Sequence, residues 1–318
     1  MRMETRHMIA SYKNGNYTVM LLSDGTKIRS NEIEPKPGQN PDECFIADFP
    51  ESMDVTITHR CSQGCPMCYA GCTERGFNGD ILNAKWIDSL HPYTEMAIGG
   101  GNVFEHPDFI PFLEKIHEKK ILANITVNQA HFLEYFDQIA DLVSRKLVNA
   151  VGVSVFEPTK KLLDSMNSIP NTVAHCILGV TKLATLKKMY DSGIRLLLLG
   201  YKMTNRGSSF MDEHHDMIEA NIEIVDKALP QLVRHFKVVS FDNMALEQLD
   251  VRRLMSEEEW KLFYMGDDHV SGLMTSETMF IDMVDNTFSY NSMEKIAFMC
   301  DENDTVDTMY QFLRDYRR

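Results

Sequence analysis

Residues 61–68 read Cys-Ser-Gln-Gly-Cys-Pro-Met-Cys, three cysteines at spacings of four and three. The thiolate is the metal-binding form of cysteine, so three on one loop can serve a single metal centre. Structural zinc closes all four tetrahedral positions, and His59 or Cys72 would complete that set. It more often draws on two ligand pairs separated by a longer loop. A [4Fe–4S] cube has four irons, so three thiolates leave one iron without a cysteine. An open metal position is where a substrate can coordinate.

The other cysteines are Cys44, Cys72, Cys176 and Cys300, seven in all. An odd count in a chain with no apolar signal segment argues against a disulfide framework and leads us to expect a cytoplasmic protein. Hydrophobic residues make up 44% and charged residues 25%, enough for a packed core. No run approaches the roughly 18 apolar residues of a membrane helix, so no membrane partner is expected. The formal net charge of −14 opposes sequence-independent binding to a nucleic-acid backbone.

Strands and helices alternate around the cysteines. A strand at 53–58, with Met53, Val55 and Ile57 on one face, leads into the loop. Further strands are expected at 94–100, 121–128, 150–156, 173–179, 194–202 and 236–241. Helices are expected at 83–90, at 107–119 burying Phe109, Phe112, Leu113 and Ile116, and at 131–146 burying Phe132, Phe136, Ile139 and Val143. Others follow Pro158, set in a first helical turn, and span 181–191 and 211–230. Ser256 and Glu259 form a capping box. A strand at 278–284, a hairpin partner at 287–291 and a helix from 304 complete the chain. Residues 1–30 read as short strands turned at 14–16 and 23–26, followed by a proline-rich loop at 31–43. The division is an N-terminal β-hairpin extension and loop over 1–50, an α/β body over 51–285, and a C-terminal hairpin strand and helix over 286–318. Such alternation implies a parallel sheet with right-handed crossovers, closed or nearly closed into a barrel. A flat doubly wound sheet is the competing architecture.

The loop after the first strand, followed about thirty residues later by the glycine-rich turn of "AIGGGNVFEHPDF" (97–109), resembles the radical S-adenosylmethionine (SAM) superfamily. The resemblance implies a partial (β/α)6 TIM-like barrel and a [4Fe–4S] cluster on Cys61, Cys65 and Cys68. It implies that SAM chelates the free iron through its amino and carboxylate groups. The reduced cluster then splits SAM to methionine and a 5′-deoxyadenosyl radical, which abstracts a hydrogen atom from the substrate. An oxygen-sensitive enzyme with an external electron donor such as flavodoxin or ferredoxin follows. Gly100 and Gly101 match the family's glycine pair, and Asn102 stands where glutamate is common. Met67 stands where an aromatic residue is common. Asn128 and Ser154 fall where the superfamily contacts the methionine and ribose parts of SAM, and Gly179 lies in the segment facing adenine. Cys72 is read as a free thiol near the cluster.

Other polar residues gather at the same strand ends. Lys202 and Arg206 are candidates for neutralising a carboxylate or phosphate, either of SAM or of the substrate. Residues 240–248, with Asp242, and Asp282 offer further hydrogen-bonding groups. Cys176 is either a core residue or a hydrogen donor, and 213–216 (Glu-His-His-Asp) reads as a solvated helix start. Only Cys176 and Cys300 follow Cys72, so a single cluster is expected. The expected substrate is a peptide or small metabolite. The alternatives are a radical SAM enzyme acting on a nucleotide or nucleic acid, and a non-catalytic iron–sulfur or zinc protein.

Overall fold

The computed structural model describes residues 7–23, 25–31, 45–263, 267–268, 273–274 and 277–317. Cys44 and nearly all of the proline-rich loop lie outside the described residues. Strands β1 (Met8–Asn14), β2 (Tyr17–Leu22) and β3 (Lys27–Ser30) form an antiparallel sheet in that order. The first turn needs Gly15, at φ +58°, because a Cβ there would lie 1.8 Å from the Ile46 carbonyl oxygen.

The main sheet takes β4 (Ser52–Thr58), β5 (Glu95–Gly100), β6 (Leu122–Asn128), β7 (Ala150–Ser154), β8 (Thr172–Ile177), β9 (Arg195–Leu199) and β10 (Val238–Phe241). After the short pair β11 (Asp267–Asp268) and β12 (Leu273–Met274), it is extended by β13 (Thr278–Asp282), β14 (Thr287–Ser289) and β15 (Phe298–Met299). Its order is β10-β9-β8-β7-β6-β5-β4-β13-β14-β15, with β14 and β15 antiparallel and the rest parallel. A doubly wound sheet reverses its strand order at a switch point. From β4 to β10 this one runs without reversal, and right-handed crossovers then place the intervening helices on one face.

Those helices are α1 (Phe109–Glu118), α2 (Gln129–Glu134), α3 (Phe136–Ser144), α4 (Lys160–Ser168), α5 (Leu183–Lys187) and α6 (Arg206–Leu232). Beyond them come α7 (Asn243–Gln248), α8 (Glu257–Phe263) and α9 (Val306–Arg317). The helix-covered face of the sheet is apolar and buried, with Val55, Ile57, Ile98, Ile125, Val153, Cys176 and Leu198 in the core. The alternate positions are accessible and mostly polar, among them Asp54, Asn124, Thr126, Asn128, Ser154 and His175.

A parallel sheet is ordinarily covered on both faces. This sheet instead curls around its polar face. Laid flat, β9 and β14 would stand roughly 34 Å apart at about 4.8 Å per strand. Yet Lys202, just after β9, donates from Nζ to Ser292 Oγ, just after β14, at 3.1 Å.

The local differences from expectation have physical causes. The helix expected over 131–146 is split into α2 and α3 at Tyr135, and Ile139 and Leu142 take the core positions. Phe136 and Val143 are only partly buried. Residues 83–90 form a short 3-10 turn, Lys85–Ser89. Thr159 caps α4 by accepting from the Leu162 N–H at 3.2 Å, which leaves Pro158 before the cap rather than in the first turn. Residues 213–216 are not a helix start; they lie inside α6, kinked at His214. The capping box forms, with Ser256 N donating to Glu259 Oε2 at 2.8 Å and Glu259 N to Ser256 Oγ at 3.2 Å. Among the described residues no helix is long and apolar enough to cross a membrane.

Candidate metal and cofactor site

The cysteine loop leaves the end of β4 and is tied back on itself by its own backbone. His59 N donates to the Phe77 carbonyl at 2.8 Å, Cys61 N to that of Thr73 at 2.9 Å, and Thr73 N to that of His59 at 3.0 Å. Gly76 permits this close approach, since a Cβ there would lie 2.0 Å from the His59 carbonyl oxygen.

Side chains from elsewhere then clamp the loop. At the start of α6, Arg206 donates from Nε to the Cys65 carbonyl at 3.0 Å, from Nη1 to Gly71 at 3.3 Å and from Nη2 to Cys72 at 2.8 Å. The preceding Thr204 and Asn205 both donate to the Tyr69 carbonyl, at 3.0 and 2.7 Å. On the other flank, Glu105 Oε1 accepts from Ser62 N at 3.2 Å, Ser62 Oγ at 3.0 Å and Asn102 Nδ2 at 3.2 Å.

Cys61, Cys65 and Cys68 are half-buried. Burial pushes the Cys61 and Cys65 thiols up, and Cys65 also senses the charges of Cys68 and Cys61. Cys72 is buried beside Cys68. The thiol of Cys72 hydrogen-bonds to Cys68, which holds Cys68 low and Cys72 high. His59 is engaged elsewhere: its Nε2 lies 2.7 Å from Asp282 Oδ2, and that bond holds its imidazole up. Soft thiolates at this spacing suit an iron–sulfur or zinc centre. Three half-accessible thiols on a clamped loop fit a cluster with three cysteine ligands.

Similarity to known proteins was found only at the level of structure. No family model matches the sequence, and no curated protein matches it. Streptococcus suis SuiB bound to S-adenosylmethionine aligns with a TM-score of 0.52 at 13% identity, over 85% of this chain and 69% of that one. SuiB bound to precursor peptide SuiA gives 0.47 at 13% identity, over 83% of this chain and 65% of that one. A further structure of SuiB gives 0.42 at 11% identity, over 94% of this chain and 86% of that one. The fold is similar to that of SuiB. What the two share is an α/β architecture with a large parallel sheet, and the chain spans just under two thirds of the peptide-bound SuiB.

Within this SuiB-like fold, the remaining expected residues gather around the strand ends in differing roles. Gly100, at φ +98°, lies against Thr58, where a Cβ would meet the carbonyl oxygen at 2.5 Å. Gly101 lies against Arg60, where the same distance is 2.0 Å. Both glycines therefore let the β5 turn contact the root of the cysteine loop, and Gly101 N and Asn102 N donate to the Thr58 and Arg60 carbonyls at 2.7 and 2.8 Å. Asn102 is buried, with Oδ1 accepting from Phe104 N at 3.2 Å and Nδ2 turned to Glu105. Of the three glycines in this turn, Gly99 is the one whose Cβ direction is open, with nothing within 4 Å.

Asn128 caps α2 through Oδ1, accepting from Ala130 N at 2.9 Å, and its Nδ2 lies 3.9 Å from Cys65 Sγ. Ser154 stands in register with Asn128 on one side and His175 on the other. Gly179, at φ +78°, packs on α6, where a Cβ would meet Ile218 at 2.4 Å. Cys176 points into the apolar core, which leaves Cys176 the structural role.

Lys202 and Arg206, paired in the sequence reading, part company. Arg206 serves the loop carbonyls, while Lys202 stacks on the Tyr69 ring at 4.5 Å and faces Asp54 and Asp242. Asp242 in turn accepts from Gly200 N at 2.9 Å and Ala245 N at 2.8 Å. Sequence reasoning missed Glu105, Asp54 and His175, because each carries a single polar side chain whose neighbours lie far along the chain.

Proposed function

We propose that the chain is a radical SAM enzyme on a partial (β/α)6, TIM-like barrel, with one [4Fe–4S] cluster held by Cys61, Cys65 and Cys68. The observation that carries this reading is the clamped three-cysteine loop at the end of β4, beside the glycine turn that ends β5. The sequential strand order and the curl of the sheet support the barrel. The likeness to SAM-bound SuiB supports the fold on which such chemistry would run. When bound, the reduced cluster supplies an electron that splits SAM to methionine and a 5′-deoxyadenosyl radical, which takes a hydrogen atom from the substrate.

In this reading the chain's residues bind and orient. Arg206 and Glu105 fix the loop from opposite flanks, which holds Cys61, Cys65 and Cys68 on one ordered turn to serve as the cluster's ligands. Gly99 leaves open space for SAM at the turn, while Gly100, Gly101 and Asn102 seat that turn against the loop. Asn128 reaches toward the cluster edge, and Ser154 and Gly179 line the adjoining strand ends, on the SAM side. An external electron donor such as flavodoxin or ferredoxin supplies the electron, and the substrate is a peptide or small metabolite. Among the described residues, Cys176 is in the core and Cys300 lies apart near β15, which supports a single cluster.

The test is anaerobic reconstitution with iron and sulfide, reduction, and addition of SAM. The expected result is about four irons per chain and formation of 5′-deoxyadenosine. A zinc-loaded protein, or a reduced cluster that never cleaves SAM, would return the chain to the non-catalytic class.

A further inference from the structure

A cavity of about 360 Å³ lies between the two ends of the curled sheet, and its size falls within the range of small-ligand sites. One wall comes from β4 and β13, the other from the residues that follow β9 and β10, with the 291–293 turn alongside. Three cations and five carboxylates line it. Most of these charges are already engaged. Arg29 pairs with Glu51 at 2.8 Å, Lys27 with Glu95 at 3.2 Å, and Glu277 accepts from the Tyr310 hydroxyl.

The exception is Asp54. It sits on the inward face of β4, seven positions before Cys61, ringed by protein yet accessible from the cavity. Among the described residues it has neither a hydrogen-bond nor an ion-pair partner, and the charges it senses are Lys202 and Asp242. One ammonium thus faces two carboxylates. An anion brought to Lys202 would meet both of them, so the unmatched charge in the cavity is negative.

Tyr69, under Lys202 and next to Cys68, places the cavity against the cysteine loop. Resting on the proposed function above, we infer that this cavity receives a cationic group of the substrate, a primary ammonium or a guanidinium, with Asp54 as its acceptor. A cation seated there neutralises the excess carboxylate and gives Asp54 its missing hydrogen-bond donor, while the remainder of the substrate extends toward the cluster. A neutral group of the same shape would leave this excess negative charge unmatched, which makes the site selective for charge and not merely for size.

The inference is tested by calorimetric titration of the full chain, without reductant or SAM. The probes are a capped arginine amide, which reports a peptide side chain, agmatine, which reports a free metabolite, and a capped citrulline amide as the neutral isostere. At least one cationic probe is expected to bind, and the tighter of the two identifies the source. Citrulline should bind about tenfold more weakly or worse, and Asp54→Asn should weaken the cation by a similar factor. Lys202→Met, which removes the competing ammonium, should tighten cation binding, and it carries the test if Asp54→Asn does not fold. Equal binding of citrulline, undiminished binding in Asp54→Asn, weaker cation binding in Lys202→Met, or no binding of either cation overturns the proposal. A chain that binds the cation but forms no 5′-deoxyadenosine refutes the radical chemistry alone. Cleavage of SAM without cation binding refutes the pocket alone.

Discussion

Arg206 donates from Nε to the carbonyl oxygen of Cys65 at 3.0 Å, across 141 residues of sequence. With its bonds to Gly71 and Cys72, the guanidinium fork meets three carbonyls of one loop. A lysine offers a point charge on a flexible stem and cannot match that geometry. Arg206→Lys and Arg206→Met are therefore expected to loosen the loop by on the order of 2–3 kcal/mol, from hydrogen bonds to a charged donor. Iron retained per chain after gel filtration, read beside a thermal melt, checks this. Full iron retention in Arg206→Met would contradict it.

The glycine turn should answer differently at neighbouring positions. A methyl at residue 101 meets the Arg60 carbonyl oxygen at 2.0 Å, a contact with backbone that cannot swing aside. Gly101→Ala should lower the melting temperature and the iron content together. A methyl at residue 99 meets nothing within 4 Å, so Gly99→Ala should fold and load iron normally. Its methyl points into the space proposed for SAM, and SAM affinity in equilibrium dialysis should fall.

Burial drives the His175 imidazole down from 6.5 to about 4. A base with a depressed folded value takes up its proton first in the unfolded chain. Its share of stability is therefore complete above about 6.5 and is lost as pH falls from about 6.5 toward about 4. Denaturant unfolding across that window should show wild type losing on the order of 2 kcal/mol more than His175→Gln, allowing for solvent at the ring. Parallel curves would place the ring in water. Gly152 makes room for this imidazole, since a Cβ there would lie 2.1 Å from its Cε1.

Much of the architecture was legible from periodicity. Met53, Val55 and Ile57 announce one buried face of β4, and Phe109, Phe112, Leu113 and Ile116 announce that of α1. The cysteine loop was equally plain, because its spacing is local. What stayed hidden depends on curl. Asn124, Thr126 and Asn128 alternate with core residues along β6, but nothing in a single strand says that the sheet curls around its polar face. The adjacency of Lys202 and Arg206 suggested one anion site. Their partners, the carboxylates Asp54 and Asp242 for one and the loop carbonyls for the other, lie too far along the chain to be inferred locally.

Cys72 separates a three-thiolate centre from a closed one. Its thiol lies against Cys68, so it is placed to be mistaken for a fourth ligand. Cys72→Ala is expected to keep its iron and sulfide, whereas Cys61→Ala, Cys65→Ala and Cys68→Ala should each lose them. Loss of the cluster in Cys72→Ala would mean that no position was left open.

The most direct test of the open iron is the electron paramagnetic resonance spectrum of the reduced, reconstituted protein, recorded with and without SAM. Coordination of SAM at an iron without a cysteine ligand should change the cluster's g-values. An identical spectrum at saturating SAM would contradict the account.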